Sequence, residues 1–311
     1  MKKTIFLTII LLILSITLMG CNQKETKENS PLAIGVLPDL DSIPFIIAAH
    51  NNYFEEEGIT VTIEQFKSAM DRDSAIQTGN LDGAISDMLA VVFFNDNKFD
   101  VKITSQTQGS FKLIAGKESN ITDVSQVEGR SIGLSKNTII EYLTDRIMTT
   151  SNVDVASPEK IAIPKIPARL EMLQNNKIDM ATLPEPLASL ALLNGGNILS
   201  SSDELNINAG IMMFTKESID NKSEEIKALY RAYNKAVDYL NTEKLENYID
   251  VIIEEGGFPK PIAGTLTLPN YTKASMPAEE EFKSALDWLK SKKLTTNDHS
   301  FANISDSSLI N

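Results

Sequence analysis

The chain has 311 residues, of which 42% are hydrophobic and one is cysteine, and its formal net charge is −13. A strong negative charge argues against nucleic-acid binding, because contacts with phosphates need Lys and Arg, and a single cysteine excludes an intrachain disulfide. The length and hydrophobic content are sufficient for two cores, so we expect two lobes.

The N-terminus has the pattern of a secretory signal, because Lys2 and Lys3 precede an uncharged stretch from Ile5 to Met19. This stretch is shorter than the roughly 20 apolar residues that a permanent membrane span needs. Residues 18–21, LMGC, resemble the lipobox of bacterial lipoproteins, in which the peptidase cuts before a cysteine whose sulfur carries a diacylglycerol. We therefore expect a signal peptide over residues 1–20 and a lipid on Cys21. A plain cleaved signal with an incidental cysteine is the alternative.

Residues 22–31, NQKETKENSP, are polar and lack apolar periodicity, which is typical of a solvated tether. We expect residues 21–31 to form this tether and the folded body to begin near Leu32. A lipid on Cys21 would hold the protein at the outer face of the bacterial cytoplasmic membrane without spanning it.

The first part of the folded body predicts strands and helices in alternation. A short apolar strand from Leu32 to Leu37 is followed by the loop PDLD and by a helix that begins after Ser42 and stops at Gly58. Strand ITVTIEQF, a helix near residues 71–78, strand LDGAIS and helix DMLAVVFF come next. Such alternation predicts a largely parallel sheet with helices on its faces.

The same order of elements returns later, with strand IAI, helix PARLEMLQNN, strand IDMATL and helix PEPLASLALL. An offset of 97 residues aligns Asp82 with Asp179. After a one-residue slip, Asp87 corresponds to Glu185. The two stretches predict two similar α/β units. Because ligands of open α/β sheets bind outside the carboxyl ends of the strands, two such edges facing each other would enclose a small molecule.

Two apolar strands, FKLIAGK (111–117) and AGIMMFTKE (209–217), bracket residues 118–208. They predict an inserted lobe that two strands join to the rest of the chain as a hinge. We therefore expect a first lobe of residues 32–115 plus 210–311 and a second lobe of residues 116–209. The amphipathic helices after Glu217 are expected to cover the first lobe.

The stretch IPFIIAAHNNYFEEEGITVTIEQFKSAMDRDSAIQTGNLDGAISD, with VEGRSIGLSKNT and LPEPLASL after it, resembles substrate-binding proteins of ABC importers. The resemblance is to the nitrate, sulfonate, taurine and thiamine-pyrimidine-precursor branch, and it covers about residues 32–240. It implies a type II periplasmic-binding-protein fold, an α/β fold whose two lobes each contain a mostly parallel sheet and close on a solute. It also implies a monomer without a cofactor that delivers the solute to a permease with a separate ATPase. The sequence has no P-loop motif of its own.

The family's ligand contacts come from loops at strand ends, and the segments PDLDS, KSAMDRD, SDM, LSKNT and LPEP match them. The resemblance thus implies contacts from Asp39, Asp41, Ser42, Ser68, Ala69, Met70, Asp71, Arg72, Asp87, Met88, Ser135, Lys136, Asn137, Thr138 and Glu185. Backbone N–H groups that precede helices favour oxyanions, whereas the carboxylates favour cationic groups or N–H donors. Glu185, held between two prolines, is predicted to be the main contact. Helix capping is the alternative role of each carboxylate.

Two other functions remain open on the same scaffold. Pyrimidine-synthesis proteins and a porphobilinogen-polymerising enzyme resemble this fold, but they use cysteines that this chain lacks apart from Cys21, so we expect no enzyme. A lipoprotein that senses a solute and contacts a receptor is the second alternative. His50 and His299 are too few to predict a metal site. Trp288 lies in the predicted C-terminal helix, so no aromatic stacking site for a heteroaromatic ligand is evident.

Overall fold

A computed structural model describes residues 30–208 and 210–310. The predicted signal peptide, Cys21 and residues 21–29 of the tether lie outside these described residues. Within them, ten strands form two sheets of five strands each. None of the helices in this part of the chain is long and apolar enough to cross a membrane.

The two sheets have matching topologies. The strands are β1 (Leu32–Val36), β2 (Val61–Gln65), β3 (Gly83–Asp87), β4 (Val101–Gln106), β5 (Phe111–Ala115), β6 (Ser131–Leu134), β7 (Glu159–Ala162), β8 (Met180–Pro184), β9 (Asn197–Ser201) and β10 (Gly210–Thr215). The first sheet has the order β2-β1-β3-β10-β4 and the second β7-β6-β8-β5-β9. β1 and β6, each second from one edge of its sheet, are parallel to both neighbours, whereas β10 and β5 are antiparallel to theirs. Each sheet is therefore mostly parallel with one reversed strand, and the predicted two-lobe α/β fold is confirmed.

Helices flank both sheets. They are α1 (Ile43–His50), α2 (Tyr53–Glu56), α3 (Ala69–Gln77), α4 (Met88–Asp96), α5 (Ile139–Thr150), α6 (Ile166–Gln174), α7 (Leu187–Leu193), α8 (Lys216–Asn221), α9 (Ser223–Thr242), α10 (Ile249–Glu254), α11 (Glu279–Ser291) and α12 (Phe301–Ile304). The first sheet with α1–α4 and α8–α12 is called the first lobe, and the second sheet with α5–α7 the second lobe. The single helix predicted to reach Gly58 is interrupted, because Asn52 has φ +58° and asparagine tolerates this left-handed conformation.

Helix α9 covers the first lobe as the apolar spacing predicts. Its buried side chains recur every three or four residues: Ile226, Leu229, Tyr233, Val237 and Leu240. They face α1 and α2, against which α9 packs. Each fully buried aliphatic side chain of this face contributes about 1.5–3 kcal/mol, so packing rather than local propensity holds the helix in place.

Helix α11 contacts both lobes, although the sequence predicts contact with the first lobe alone. It packs against α4 of the first lobe. Its Trp288 Nε1 donates to Asp145 Oδ2 of α5 at 3.0 Å, and Lys292 Nζ lies 2.7 Å from the same carboxylate oxygen. The Trp288 ring also meets the Tyr142 ring edge-on at 5.8 Å. The C-terminal helix therefore joins the lobes on the side of α4 and α5.

The chain crosses between the lobes in two short segments, residues 107–110 and, within the described residues, 202–208. Thr107 N donates to Gly210 O at 3.1 Å, and Asn208 Nδ2 donates to Thr107 O at 2.6 Å, so the two connections lie side by side. The predicted boundary between residues 115 and 116 is displaced, because β5 pairs along its length with β8 and lies wholly in the second sheet. An apolar strand fits either sheet, and its sequence does not show which one it joins.

Candidate functional site

A cleft lies between the carboxyl ends of the two sheets. The space between its walls, counted together with the part that is open to solvent, is about 560 Å³. The lining residues are Leu37, Asp39, Asp41, Ala69, Arg72, Ile85, Ser86, Asp87, Phe111, Ser135, Thr138, Ile139, Ile140, Pro164, Ile166, Arg169, Pro184 and Gly210. Seven predicted contact residues are among them: Asp39, Asp41, Ala69, Arg72, Asp87, Ser135 and Thr138.

Two carboxylates on the first-lobe wall are buried with incomplete hydrogen bonding. Asp39 and Asp41 lie at the 3₁₀ turn that follows β1, and they are 6% and 4% exposed. Oδ1 of each has no hydrogen-bond partner among the described residues. Burial, and next the charge of Asp41, raise the pKa of Asp39 well above its ordinary value of 3.8. Burial also raises the pKa of Asp41 to about 6, because the ionised form loses its water.

Asp41 also touches both connections between the lobes. A Cβ atom at Gly109 would overlap with Asp41 Oδ2, and one at Gly210 would lie 3.0 Å from Asp41 Oδ1. The Thr107 hydroxyl lies near Asp41 and lowers the pKa of that carboxyl group, which opposes the effect of burial. Its Oγ1 nevertheless forms no hydrogen bond of good geometry in the described part of the chain. A ligand bound to Asp41 would therefore act directly on the segments that join the lobes.

Arg72 of α3 lines the first-lobe side of the cleft, and most of its donor groups are bonded to the protein. Nε and Nη2 donate to Asp73 Oδ1 at 2.9 and 2.7 Å. Nη2 also donates to Ser86 Oγ and Nη1 to Ile85 O, both at 2.8 Å. Four of the five guanidinium N–H groups are thus occupied, so Arg72 does not present a two-pronged donor to a ligand.

Arg169 of α6 is the second-lobe counterpart of Arg72, and it is absent from the residues predicted from sequence. It is fully buried, and it donates from Nε to Ile163 O at 3.1 Å, from Nη1 to Thr182 O at 2.7 Å and from Nη2 to Ser135 Oγ at 2.6 Å. It forms no ion pair within the described residues, and burial lowers its pKa to about 10. The sequence did contain a signal, because the offset of 97 residues that reveals the repeat also aligns Arg72 with Arg169.

Asp87 ends β3 and caps α4. It is buried, and its Oδ1 accepts hydrogen bonds from Leu89 N and Ala90 N at 3.0 and 2.9 Å. Burial raises the pKa of Asp87, whereas the two N–H donors and the helix dipole favour its ionised form. The N-terminus of α4 is therefore occupied by the protein's own carboxylate.

Glu185 has the corresponding place between β8 and α7, but it faces its own lobe. Its Oε1 forms an ion pair with Lys112 Nζ, and its Oε2 accepts a hydrogen bond from Ser189 N at 2.8 Å. Glu185 is buried and does not belong to the cleft-lining set. The structure gives it a capping and charge-pairing role in place of the main ligand contact, because both oxygens already have partners.

Three hydroxyl groups among the predicted contacts are bonded within their own loops. Ser68 Oγ donates to Asp71 Oδ2 at 2.8 Å, and Ser42 Oγ donates to a backbone carbonyl three residues earlier at 2.7 Å. Thr138 Oγ1 donates to Ser135 O at 2.9 Å and accepts from the backbone of α5. Ser42 and Ser68 lie behind the cleft wall rather than on it.

Five further predicted positions lie outside the cleft lining or contribute little to it. Met88 is buried in a hydrophobic core that contains residues of both lobes, and Met70, Asp71 and Lys136 are exposed to solvent. Asn137 lines an adjoining space of about 430 Å³ that shares part of its wall with the cleft. The cleft thus contains part of the predicted set, and the location of the ligand site in these loops stays a prediction.

Much of the cleft wall is apolar, and sequence reasoning missed this part of it. The apolar lining residues are Leu37, Ile85, Phe111, Ile139, Ile140, Pro164, Ile166 and Pro184. Apolar residues at strand ends resemble core residues in a sequence, so no local pattern distinguishes them. In residues 30–208 and 210–310, no group of three or more His, Cys, Asp or Glu side chains could hold a metal ion. The arrangement offers unpaired acceptors and an apolar wall to a small organic molecule.

Solved structures with the same fold include three proteins of different function. The alkanesulfonate-binding protein SsuA from Xanthomonas axonopodis pv. citri, bound to MOPS, has a TM-score of 0.78 at 15% identity, covering 91% of this chain and 100% of that one. The periplasmic nitrate-binding protein NrtA from Synechocystis PCC 6803 has a TM-score of 0.71 at 11% identity, covering 87% and 83%. The desulfurization enzyme DszB has a TM-score of 0.66 at 12% identity, covering 91% and 98%. At these identities the similarity shows the fold alone.

Sequence comparison identifies the family. Over 264 residues the chain is 24% identical to a Brachyspira hyodysenteriae protein named as an ABC transporter periplasmic binding protein, and the match covers 78% of this chain and 76% of that protein. Residues 39–243, more than half of the chain, match the profile described as NMT1/THI5 like. The chain therefore belongs to the NMT1/THI5-like family.

Proposed function

We propose that this chain is the solute-binding protein of an ABC importer, which captures a small organic solute in the cleft and delivers it to a membrane permease. The observation that carries the proposal is the position of the cleft. It is lined by both lobes at the carboxyl ends of their sheets, and it adjoins the two connections between them. A solute that contacts both walls favours the closed arrangement of the lobes. The family and the named relative support the same role.

In this proposal residues 111–201 move as one unit relative to the rest of the folded chain. The test uses the mature chain without its lipid, analysed by native mass spectrometry directly after purification. We expect a bound small molecule, and we expect the radius of gyration from X-ray scattering to increase when that molecule is removed. Finding no bound molecule, together with an unchanged radius for every solute in a broad library, would contradict the proposal.

The proposal places the protein outside the cytoplasmic membrane, held by a lipid on Cys21. The polar tether would leave both lobes free to meet the permease. Cells fed labelled palmitate should incorporate the label into this protein, and the Cys21→Ser variant should lose both the label and membrane attachment. A variant that remains membrane-bound and labelled would contradict lipidation at this residue.

The two alternative functions, enzyme and sensor, predict different outcomes. Because DszB shows that this fold also supports an enzyme, the protein should be incubated with its solute and the solute mass measured afterwards; a binding protein returns the solute unchanged. A sensor differs from an importer component in its dependence on partners. Uptake of the labelled solute should require this protein together with a permease and an ATPase, whereas a sensor is dispensable for uptake.

A further inference from the structure

We infer that the solute of this cleft is an organic cation whose N–H groups bind Asp39 and Asp41, an inference that rests on the proposed solute-binding function. Both carboxylates line the cleft, they are 6% and 4% exposed, and Oδ1 of each has no hydrogen-bond partner among the described residues. A buried acceptor without a donor costs free energy until a donor is supplied. The cleft-facing position of this pair means that a ligand can supply the missing donors.

The cationic side chains near the pair do not supply these donors. Four of the five N–H groups of Arg72 go to Asp73, Ile85 and Ser86. Four of those of Arg169 go to acceptors of the second lobe. Neither guanidinium donates to Asp39 or Asp41 in the described structure. Among the charged groups that line the cleft, the unmet hydrogen-bonding capacity is therefore that of the Asp39 and Asp41 carboxyl groups, beside which the Thr107 hydroxyl is also without a partner among the described residues.

An anionic solute would find most candidate donors already occupied. Asp87 accepts the first free N–H groups of α4, and Thr138 Oγ1 accepts one from α5 at 3.2 Å. Ser68 Oγ accepts one from α3 at 3.2 Å. An added anion would also increase the repulsion among the buried carboxylates, whereas a cation would reduce it. The apolar lining, which includes Phe111 and Ile166, suits a cation with an apolar body better than a bare metal ion.

Binding of a cation should release the proton of a buried carboxyl group. The groups that face Asp41 are Asp39, Arg72, Thr107, Tyr233 and Tyr271. Burial raises the pKa of both tyrosines, so they stay neutral. Burial favours the protonated carboxyl groups in the empty cleft, with a pKa of about 6 for Asp41. When the cation enters, the O–H bond breaks and the proton leaves to solvent, so affinity should fall by up to about tenfold per pH unit below pH 6.

The test measures binding by calorimetry at pH 7.5 to the mature chain after its co-purified solute has been identified and removed. The probes are that solute and two sets of compounds that share a ring and differ in charge. The first set is benzamidine, benzamide and benzoate, and the second is cyclohexylamine, cyclohexanol and cyclohexanesulfonate. The variants Asp39→Asn and Asp41→Asn keep the side-chain shape. The control Asp250→Asn makes the same charge change at an exposed residue of α10.

We expect a cationic co-purified solute and a preference for the cationic probes at pH 7.5, and proton release on binding when the titration is repeated at pH 5.5, below the pKa of Asp41. Asp41→Asn should weaken binding by about 30-fold, as expected for loss of a charged hydrogen bond, and Asp250→Asn should leave it within about twofold of the unchanged chain. An anionic or neutral co-purified solute, or affinity that is unchanged in both cleft variants, overturns the inference and leaves the solute-binding function intact. A preparation that binds no compound of any charge overturns the proposed function itself.

Discussion

Asp41→Asn tests the electrostatics of the cleft in the absence of a ligand. A pKa of about 6, compared with 3.8 for the ordinary side chain, means that folding disfavours the ionised carboxylate. At about 1.36 kcal/mol per pKa unit, the raised pKa corresponds to a loss of about 3 kcal/mol in the free energy of unfolding above pH 6. Asparagine has nearly the same shape and no charge to bury. We therefore expect the variant to be more stable than the unchanged chain at pH 7.5 by up to about 3 kcal/mol.

The pH dependence has a definite sign. Because the folded-state pKa of Asp41 is raised, the folded protein binds more protons than the unfolded chain between about pH 4 and pH 6, and stability falls as pH rises through this range. The loss of stability caused by Asp41 is absent below the pKa of this residue in the unfolded chain and complete above its pKa in the folded protein. Asp39 and Asp87, whose pKa values are also raised by burial, act in the same direction.

The measurement is thermal and urea unfolding of the ligand-free chain between pH 4.5 and pH 8, with Asp250→Asn as the control. At about 2 °C per kcal/mol for a chain of this size, the melting temperature of Asp41→Asn should rise by about 6 °C at pH 7.5 and by little at pH 4.5. If Asp41→Asn is less stable than the control at pH 7.5, or if its advantage does not depend on pH, the carboxylate is not strained by burial and the reasoning fails.

Three further substitutions test other parts of the site. Arg169→Ala should destabilise the second lobe by about 3 kcal/mol in urea unfolding, because it leaves several buried acceptors without donors. Gly109→Ala should displace Asp41 and weaken solute binding about tenfold or more in calorimetry, with a smaller loss of stability. Glu185→Ala should cost about 2 kcal/mol of stability by leaving Lys112 without its partner, yet it should change the solute affinity by less than about threefold.

Each of these substitutions has a matched control. Arg130→Ala removes a half-exposed arginine, Glu118→Ala removes an exposed glutamate, and Gly264→Ala adds a methyl group where no atom lies within 4 Å. The controls should lie within about 0.5 kcal/mol of the unchanged chain. A large loss of affinity in Glu185→Ala would contradict the capping role and return this residue to the ligand. Gly109→Ala with unchanged affinity would contradict the coupling of Asp41 to the connections.

The repeat and the loops of the site were predictable because they depend on local patterns. Alternating apolar strands and helices predicted both sheets, and the alignment of Asp82 with Asp179 predicted two similar units. The loops after β1 and β6 line the cleft, together with the ends of β3 and β8 and the first turn of α3. Arg169 was missed although the same alignment contains it, because arginine in an amphipathic helix is normally exposed.

The order of the elements, the presence of two similar units and the acidic residues at strand ends can be read from the sequence, because hydrophobic period and turn chemistry act over a few residues. Which acidic residues have partners depends on the packing of the folded chain. Glu185 meets Lys112 across neighbouring strands, whereas Asp41 meets Gly109 and Gly210 at the two connections and keeps an unpaired oxygen. The physical reason is that burial and hydrogen-bond satisfaction depend on groups brought from distant parts of the chain, which no local pattern records.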